Sequence, residues 1–123
     1  MTGPTVVVAG SGSYSQAIRS GPWLIMAGQV AWNETGDVVG AGDLRAQTHQ
    51  VFANIAALCE AAGGGLRNVV QLRTYLLDIS QIGVVSAVRQ ELFTATPPTS
   101  TTIQVSALVQ PELLIEIEAL AIL

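Results

Sequence analysis

The sequence contains no lysine, and this absence excludes one kind of catalysis. All five of its basic residues are arginines. Without a lysine amine, no side chain can form a Schiff base with a carbonyl substrate or with pyridoxal phosphate. The arginines are scattered along a chain of net charge −4, whereas nucleic-acid binding needs a basic patch that neutralises phosphates. We therefore expect no nucleic-acid partner.

Cysteine and histidine are almost as scarce. A single cysteine, Cys59, excludes an internal disulfide, and a single histidine, His49, leaves no set of cysteine and histidine ligands for a metal. Cys59 shares the apolar face of a predicted helix, so we interpret it as a core thiol. Neither residue is expected to carry chemistry.

Long apolar runs are missing too. The most apolar stretch, residues 105–123, is interrupted by Pro111, Glu116 and Glu118, whereas a membrane helix needs ~18 uninterrupted apolar residues. The N-terminus shows no basic segment followed by an apolar one, as a secretion signal would. The sequence therefore predicts no membrane association and a cytoplasmic location. Since 50% of the residues are hydrophobic and only 11% are charged, we expect part of the surface to be buried against other subunits.

The spacing of apolar residues predicts an α+β fold within one domain, residues 1–123. One helix should begin after Asp43 and end at the glycines of 63–65, and a second should cover 81–93 with Ser80 as its cap. Strands are expected at residues 5–9, 23–27, 68–78, 101–105 and 113–122. Five or six strands and two helices suit a single sheet with both helices on one face. Two carboxylates of the last strand, Glu116 and Glu118, then lie among apolar neighbours on the other face.

Several segments, in this order, resemble the Rid (YjgF) family. Residues 14–18 (YSQAI), 27–30 (AGQV) and 60–63 (EAAG) are similar to its motifs, as are the proline-led segment 98–108 and 115–119 (IEIEA). The resemblance covers about residues 10–122. It implies a chorismate-mutase-like α+β fold, assembled as a homotrimer with ligand sites in the clefts between subunits. It also implies cofactor-free hydrolysis of 2-imino acids or their enamine tautomers to 2-keto acids and ammonia.

The resemblance assigns roles to individual residues. Glu116 matches the family glutamate beside the attacking water, and Tyr14 and Gly28 match positions that border the ligand. Ser86 stands where the second helix often has an asparagine, and Ser100 stands where the family has the arginine that holds the substrate carboxylate. The resemblance therefore predicts a substrate cleft from which the carboxylate anchor has been lost.

The missing arginine leaves the function open. Its paired, charge-assisted hydrogen bonds are worth roughly 1.5–3 kcal/mol each, so ordinary 2-imino acids should be poor substrates. Arg73, which shares a strand face with Gln71 and Tyr75, is a candidate replacement; it could equally form an ion pair with Glu118 or Asp78. An imine or enamine hydrolase with a different substrate is one interpretation, and a trimer that binds a small metabolite without turnover is another. Endoribonuclease activity, attached to some relatives, fits the acidic composition badly.

Overall fold

The computed structural model describes residues 3–123 and contains a six-stranded mixed sheet with two α-helices. The helices are α1 (Leu44–Ala61) and α2 (Ile82–Leu92). The strands are β1 (Thr5–Ala9), β2 (Ser15–Ser20), β3 (Trp23–Gln29), β4 (Val69–Leu76), β5 (Thr99–Gln104) and β6 (Ile115–Ile122). The predicted α+β fold with five to six strands is therefore confirmed. None of the helices within residues 3–123 has the length and apolar character needed to cross a bilayer.

The strands lie in the order β1-β2-β3-β6-β4-β5, so the last strand in sequence occupies the middle of the sheet. β6 pairs antiparallel with β3 on one side and with β4 on the other. β5 runs parallel to β4, at the opposite edge from β1. The chain crosses from β4 to β5 through α2, as a parallel pair requires.

β2 was not predicted from the sequence. It pairs with both β1 and β3, yet of its six residues only Ala17 is fully buried. The strand has polar residues at Ser15, Gln16, Arg19 and Ser20, so it lacks the apolar alternation on which strand prediction depends. Tertiary pairing, rather than local pattern, makes this segment extended.

The long helix α1 follows its sequence signals. The Asp43 side chain accepts a hydrogen bond from the Ala46 backbone N–H at 3.0 Å, which confirms the predicted N-cap. The helix ends before Gly63, whose φ of +86° is the left-handed conformation that favours glycine. Its buried face includes Cys59, as predicted, and also the polar side chain of Gln47.

The start of α2 differs from the prediction. Ser80 does not cap this helix; the Asp78 carboxylate accepts hydrogen bonds from the Ser80 backbone N–H and hydroxyl, at 3.0 and 2.7 Å. Asp78 thereby caps a 3₁₀ turn, Ile79–Gln81, that runs directly into α2. Both residues are good capping types, and the sequence favoured the wrong one because the extra turn has no signal of its own.

The core lies between the helices and one face of the sheet. Alternate residues of β3, β4 and β6 are buried there; they are Leu24, Met26, Leu72, Thr74, Leu76, Ile115, Ile117, Ala119 and Ala121. Within residues 3–123 the helices pack on that face alone, and the opposite face of the sheet, which we call the open face, is not covered by either of them. It carries Glu116 and Glu118, as predicted from the alternation of β6, together with exposed apolar residues such as Trp23 and Ile25.

Candidate functional site

The residues singled out in the sequence fall in three separate cavities of the chain. Tyr14 and Gly28 line the first, Arg73 the second, and Ser86 and Ser100 the third. Glu116 is not among the residues that line these three cavities; its side chain, on the open face, lies against Gly28. Within one chain the structure therefore brings Gly28 to both Tyr14 and Glu116, and it brings Ser86 to Ser100.

The Tyr14 cavity has a volume of about 430 Å³ and lies between β2, β3 and α1. Tyr14 is 46% exposed, and its hydroxyl accepts a long hydrogen bond from the Gln16 amide at 3.5 Å. The Gln16 amide oxygen in turn accepts a hydrogen bond from Gln29 at 2.8 Å. This chain of side chains fixes the polar wall of the cavity, while the Tyr14 ring is left accessible to a ligand or a partner.

Gly28 determines where the Glu116 carboxylate lies. A Cβ atom built on Gly28 would come within 2.9 Å of the Glu116 carboxyl carbon, which is closer than carbon atoms pack in proteins. Only glycine leaves this space for the carboxylate. Burial, and then the neighbouring Glu118 carboxylate, raises the pKa of Glu116 above its usual value.

The open-face cavity is smaller, about 170 Å³, and is lined by Arg73, Gln71, Glu118 and Leu120 among others. Arg73 and Glu118 are register partners on adjacent strands, but among residues 3–123 no ion pair within 4.0 Å joins them. Glu118 instead accepts a hydrogen bond from the Tyr75 hydroxyl. That bond, together with burial, raises the pKa of Tyr75, so this phenol remains a proton donor at neutral pH.

The Ser100 cavity has a volume of about 310 Å³ and joins α2 to the loop before β5. Ser86 and Ser100 both line it, with Phe93, Pro97 and Pro98 as its apolar wall. Ser100 is paired in register with the buried Leu72, whereas Arg73 is paired with Thr101. Because neighbouring positions along a strand face opposite sides, Ser100 and Arg73 point to different faces of the sheet.

Sequence reasoning did not identify Arg89, the arginine of the Ser100 cavity. Its Nη2 donates a hydrogen bond to the Ser86 hydroxyl at 3.1 Å, and burial lowers its pKa. The available signal was its position three residues after Ser86 on the same helix, which places both side chains on one face. The structure thus supplies a guanidinium to the cavity from the helix.

Cys59 and the acidic side chains are further groups that could carry chemistry. Burial raises the pKa of the Cys59 thiol to about 11, and its Sγ lies 3.9 Å from the Met26 Sδ within the core, so the thiol remains protonated and packed. Among residues 3–123, no three His, Cys, Asp or Glu side chains are grouped so that they could hold a metal ion.

Comparisons with known proteins identify the family. The Endoribonuclease L-PSP family matches residues 5–123. A RutC family protein from Pyrococcus horikoshii is 41% identical over 111 residues, which span 89% of this chain and 86% of that protein. The 2-iminobutanoate/2-iminopropanoate deaminase of Escherichia coli is 33% identical over 118 residues, with 93% and 90% covered. The crystal structure of YyfA, a Rid-family protein of Yersinia pestis, superposes with a TM-score of 0.90 at 32% identity, covering 98% of this chain and 100% of YyfA. The chain therefore belongs to the Rid family, which the Endoribonuclease L-PSP signature describes.

Proposed function

We propose that this protein is a cofactor-free hydrolase of an imine, an enamine or a related reactive small metabolite, working in clefts between three copies of the chain. The observation that carries the proposal is the Glu116 carboxylate, which is held against Gly28 with a raised pKa. The names of relatives such as the E. coli 2-iminobutanoate/2-iminopropanoate deaminase support the reaction class.

The proposed reaction needs one group that both accepts and returns a proton. The imine reacts as its nitrogen-protonated form: water adds to the imine carbon, Glu116 takes a proton from that water as the C–O bond forms, and the C=N π electrons move to the nitrogen to give a neutral carbinolamine. Glu116 then returns its proton to the amino nitrogen and the C–N bond breaks to release ammonia. The hydroxyl proton passes to Glu116 as the C=O bond forms and leaves from there to ammonia or solvent. A carboxyl whose pKa is raised toward neutrality performs both transfers more efficiently than an ordinary surface glutamate.

Assembly as a homotrimer is supported by the open face. It exposes apolar residues that include Ile25 at 45% and Trp23 at 44%, and a contiguous apolar surface of this kind usually marks a protein interface. Ile25 is paired in register with Leu120, so both lie on the same face near the centre of the sheet. Residues that lie in separate cavities of one chain would then meet across a subunit boundary.

The Ser100 side chain limits the substrates. A serine hydroxyl offers one neutral donor in place of a guanidinium fork, and the missing charge-assisted bonds lower catalytic efficiency by on the order of 10- to 1000-fold. We therefore expect poor turnover of 2-iminopropanoate and 2-iminobutanoate. The same replacement favours a second candidate function, a trimer that binds a small metabolite without turning it over.

Hydrolysis of freshly generated 2-iminopropanoate tests the proposal, using the wild type, Glu116→Gln and Ser100→Arg. We expect slow turnover by the wild type, a gain with Ser100→Arg, and none with Glu116→Gln. Because Arg89 already occupies that cavity, Ser100→Arg is also made together with Arg89→Gln to avoid like-charge repulsion. If none of these proteins hydrolyses any imine but the wild type binds 2-keto acids, the binding function replaces the enzymatic one.

The assembly is tested separately by light scattering. Ile25→Glu places a charge on the open face and should give monomers. Its matched control is Ile82→Glu, since Ile82 is 40% exposed but lies at the start of α2, away from the open face. A trimer that persists in Ile25→Glu would exclude this face as the interface.

A further inference from the structure

Arg89 differs from the other four arginines in its surroundings. Arg19, Arg45, Arg67 and Arg73 are exposed, while Arg89 is half-buried on α2. Within residues 3–123 the ion pairs are those of Glu91 with Arg45 and with His49, so Arg89 has no carboxylate partner there. Its Nη1 is buried and makes no hydrogen bond.

A buried guanidinium donor without a partner is unfavourable, because the donor has lost its water and gained nothing in exchange. A basic residue in the last turn of a helix is stabilised by the helix dipole, and this accounts for an arginine at the end of α2. It does not account for the inward orientation, since a long side chain at that position can extend into water. The orientation suits a guanidinium that receives an anion.

The rest of the Ser100 cavity fits a small carboxylate. The hydroxyls of Ser86 and Ser100 can donate to carboxylate oxygens, and Phe93, Pro97 and Pro98 provide an apolar wall for a short carbon chain. At about 310 Å³ the cavity is at the small end of the range for ligand sites, ~300–1,000 Å³.

We propose that Arg89 is the carboxylate-binding residue of the Ser100 cavity, which takes a small monocarboxylate such as a short 2-keto or 2-imino acid. This inference rests on the proposed function only in assuming that the family clefts of this protein receive a small metabolite. It replaces Arg73 as the candidate anchor for a ligand in this cavity, because Arg73 faces the opposite side of the sheet from Ser100.

An anchor on α2 also predicts that binding is accompanied by slow hydrolysis. One donor of Arg89 is engaged by Ser86, so the carboxylate receives fewer hydrogen bonds than a free guanidinium fork provides. The carboxylate would also be held from the helix rather than from β5, so the imine carbon would lie away from the position that an anchor on β5 gives it. Displacement by ~1 Å is enough to slow a reaction about 100-fold.

The test is equilibrium binding of pyruvate to the full chain, by calorimetry at pH 7. We expect Arg89→Gln to weaken binding by ~10- to 100-fold, from the loss of a charge-assisted hydrogen bond. Arg67→Gln, which removes the same charge from an exposed position, should change the affinity less than twofold. Pyruvamide, the neutral counterpart of pyruvate, should bind the wild type and Arg89→Gln equally weakly.

The outcomes separate this inference from the proposed enzyme. Pyruvate binding that depends on Arg89, with no imine hydrolysis by any variant, supports the site and overturns the hydrolase. Unchanged binding in Arg89→Gln, loss of binding in Arg73→Gln instead, or no binding by the wild type overturns the site. If Arg89→Gln does not fold, NMR of the wild type tests the site instead. The Arg89 side-chain ¹⁵N resonances should then shift on adding pyruvate and not on adding pyruvamide.

Discussion

Replacing Gly28 with alanine should move the Glu116 carboxylate without unfolding the protein. The new Cβ would lie 2.9 Å from the Glu116 carboxyl carbon. Carbon atoms in contact are normally ~3.5–4.0 Å apart, so the carboxyl carbon must retreat by roughly 0.6–1.1 Å. The obstacle is the far end of a flexible side chain, and Gly28 does not have a positive φ, so the backbone need not change.

The expected cost in stability is therefore small. Alanine restricts the unfolded chain and stabilises by about 0.4–1 kcal/mol where its backbone conformation is allowed, which offsets the cost of displacing the carboxylate. The proposed hydrolysis should suffer more, because a displacement of ~1 Å at the group proposed to activate water lowers activity by about 100-fold. A carboxylate pushed out of its partly buried position should also have a lower pKa, closer to its usual value.

Two measurements separate these effects. Thermal unfolding should give a Tm within about 4 °C of the wild type, and the ¹³C-detected titration of Glu116 should shift to lower pH. The matched control is Gly83→Ala on α2, where an added Cβ meets nothing within 4 Å; it should stabilise by about 0.5–1 kcal/mol and leave the titration unchanged. An unaltered Glu116 titration in a folded Gly28→Ala protein would refute the claim that Gly28 positions this carboxylate.

Further substitutions test the electrostatics and the core. Because the pKa of Glu116 is raised, the folded state binds this proton more tightly than the unfolded chain does. The stability that this proton contributes is complete below the usual pKa of 4.5 and is lost as the pH rises through the raised pKa. Glu116→Gln should thus be more thermostable than the wild type at pH 7 and lose this advantage in melts at pH 4. Gln47 is fully buried; its amide donates to the Gly40 and Glu112 carbonyls and accepts from the Leu114 N–H. Gln47→Leu should lower the free energy of unfolding in urea by about 2–4 kcal/mol, because these backbone groups lose their partners. An unchanged midpoint of urea unfolding would contradict this expectation. Phe52 is 1% exposed and packs edge-on against Phe93. Phe52→Ala should lower the free energy of unfolding in urea by about 3–5 kcal/mol.

The strongly patterned elements were predictable because local signals and tertiary packing agree in them. Hydrophobic period and capping chemistry predict the cap at Asp43, the buried face of α1 and the two faces of β6. All three are found in the structure. β2 was missed because four of its six residues are polar and its extended conformation depends on two neighbouring strands. The order of the strands has no local signal at all.

The candidate site was predictable only in part. Family motifs pointed to Glu116 and Gly28, and the two are in contact in the structure; the catalytic role of Glu116 and the ligand-binding role of Gly28 stay predictions. Arg89 was not predicted as a site residue because a basic residue near the C-terminal end of a helix is usually explained by its interaction with the helix dipole. Its inward orientation depends on a cavity that α2 forms with Pro97, Pro98 and Ser100. These residues lie outside α2, so the pattern of the helix alone does not indicate the cavity.

The place of β6 in the middle of the sheet affects how the protein is made. Translation delivers β6 after the other five strands, yet both β3 and β4 pair with it. Until residues 115–122 leave the ribosome, β3 and β4 each keep an unpaired edge, and the two halves of the sheet have no strand to join them. Nascent chains thus keep both edges open until β6 is made, and the β3–β6 pairs that then form join residues roughly 90–100 positions apart in the sequence.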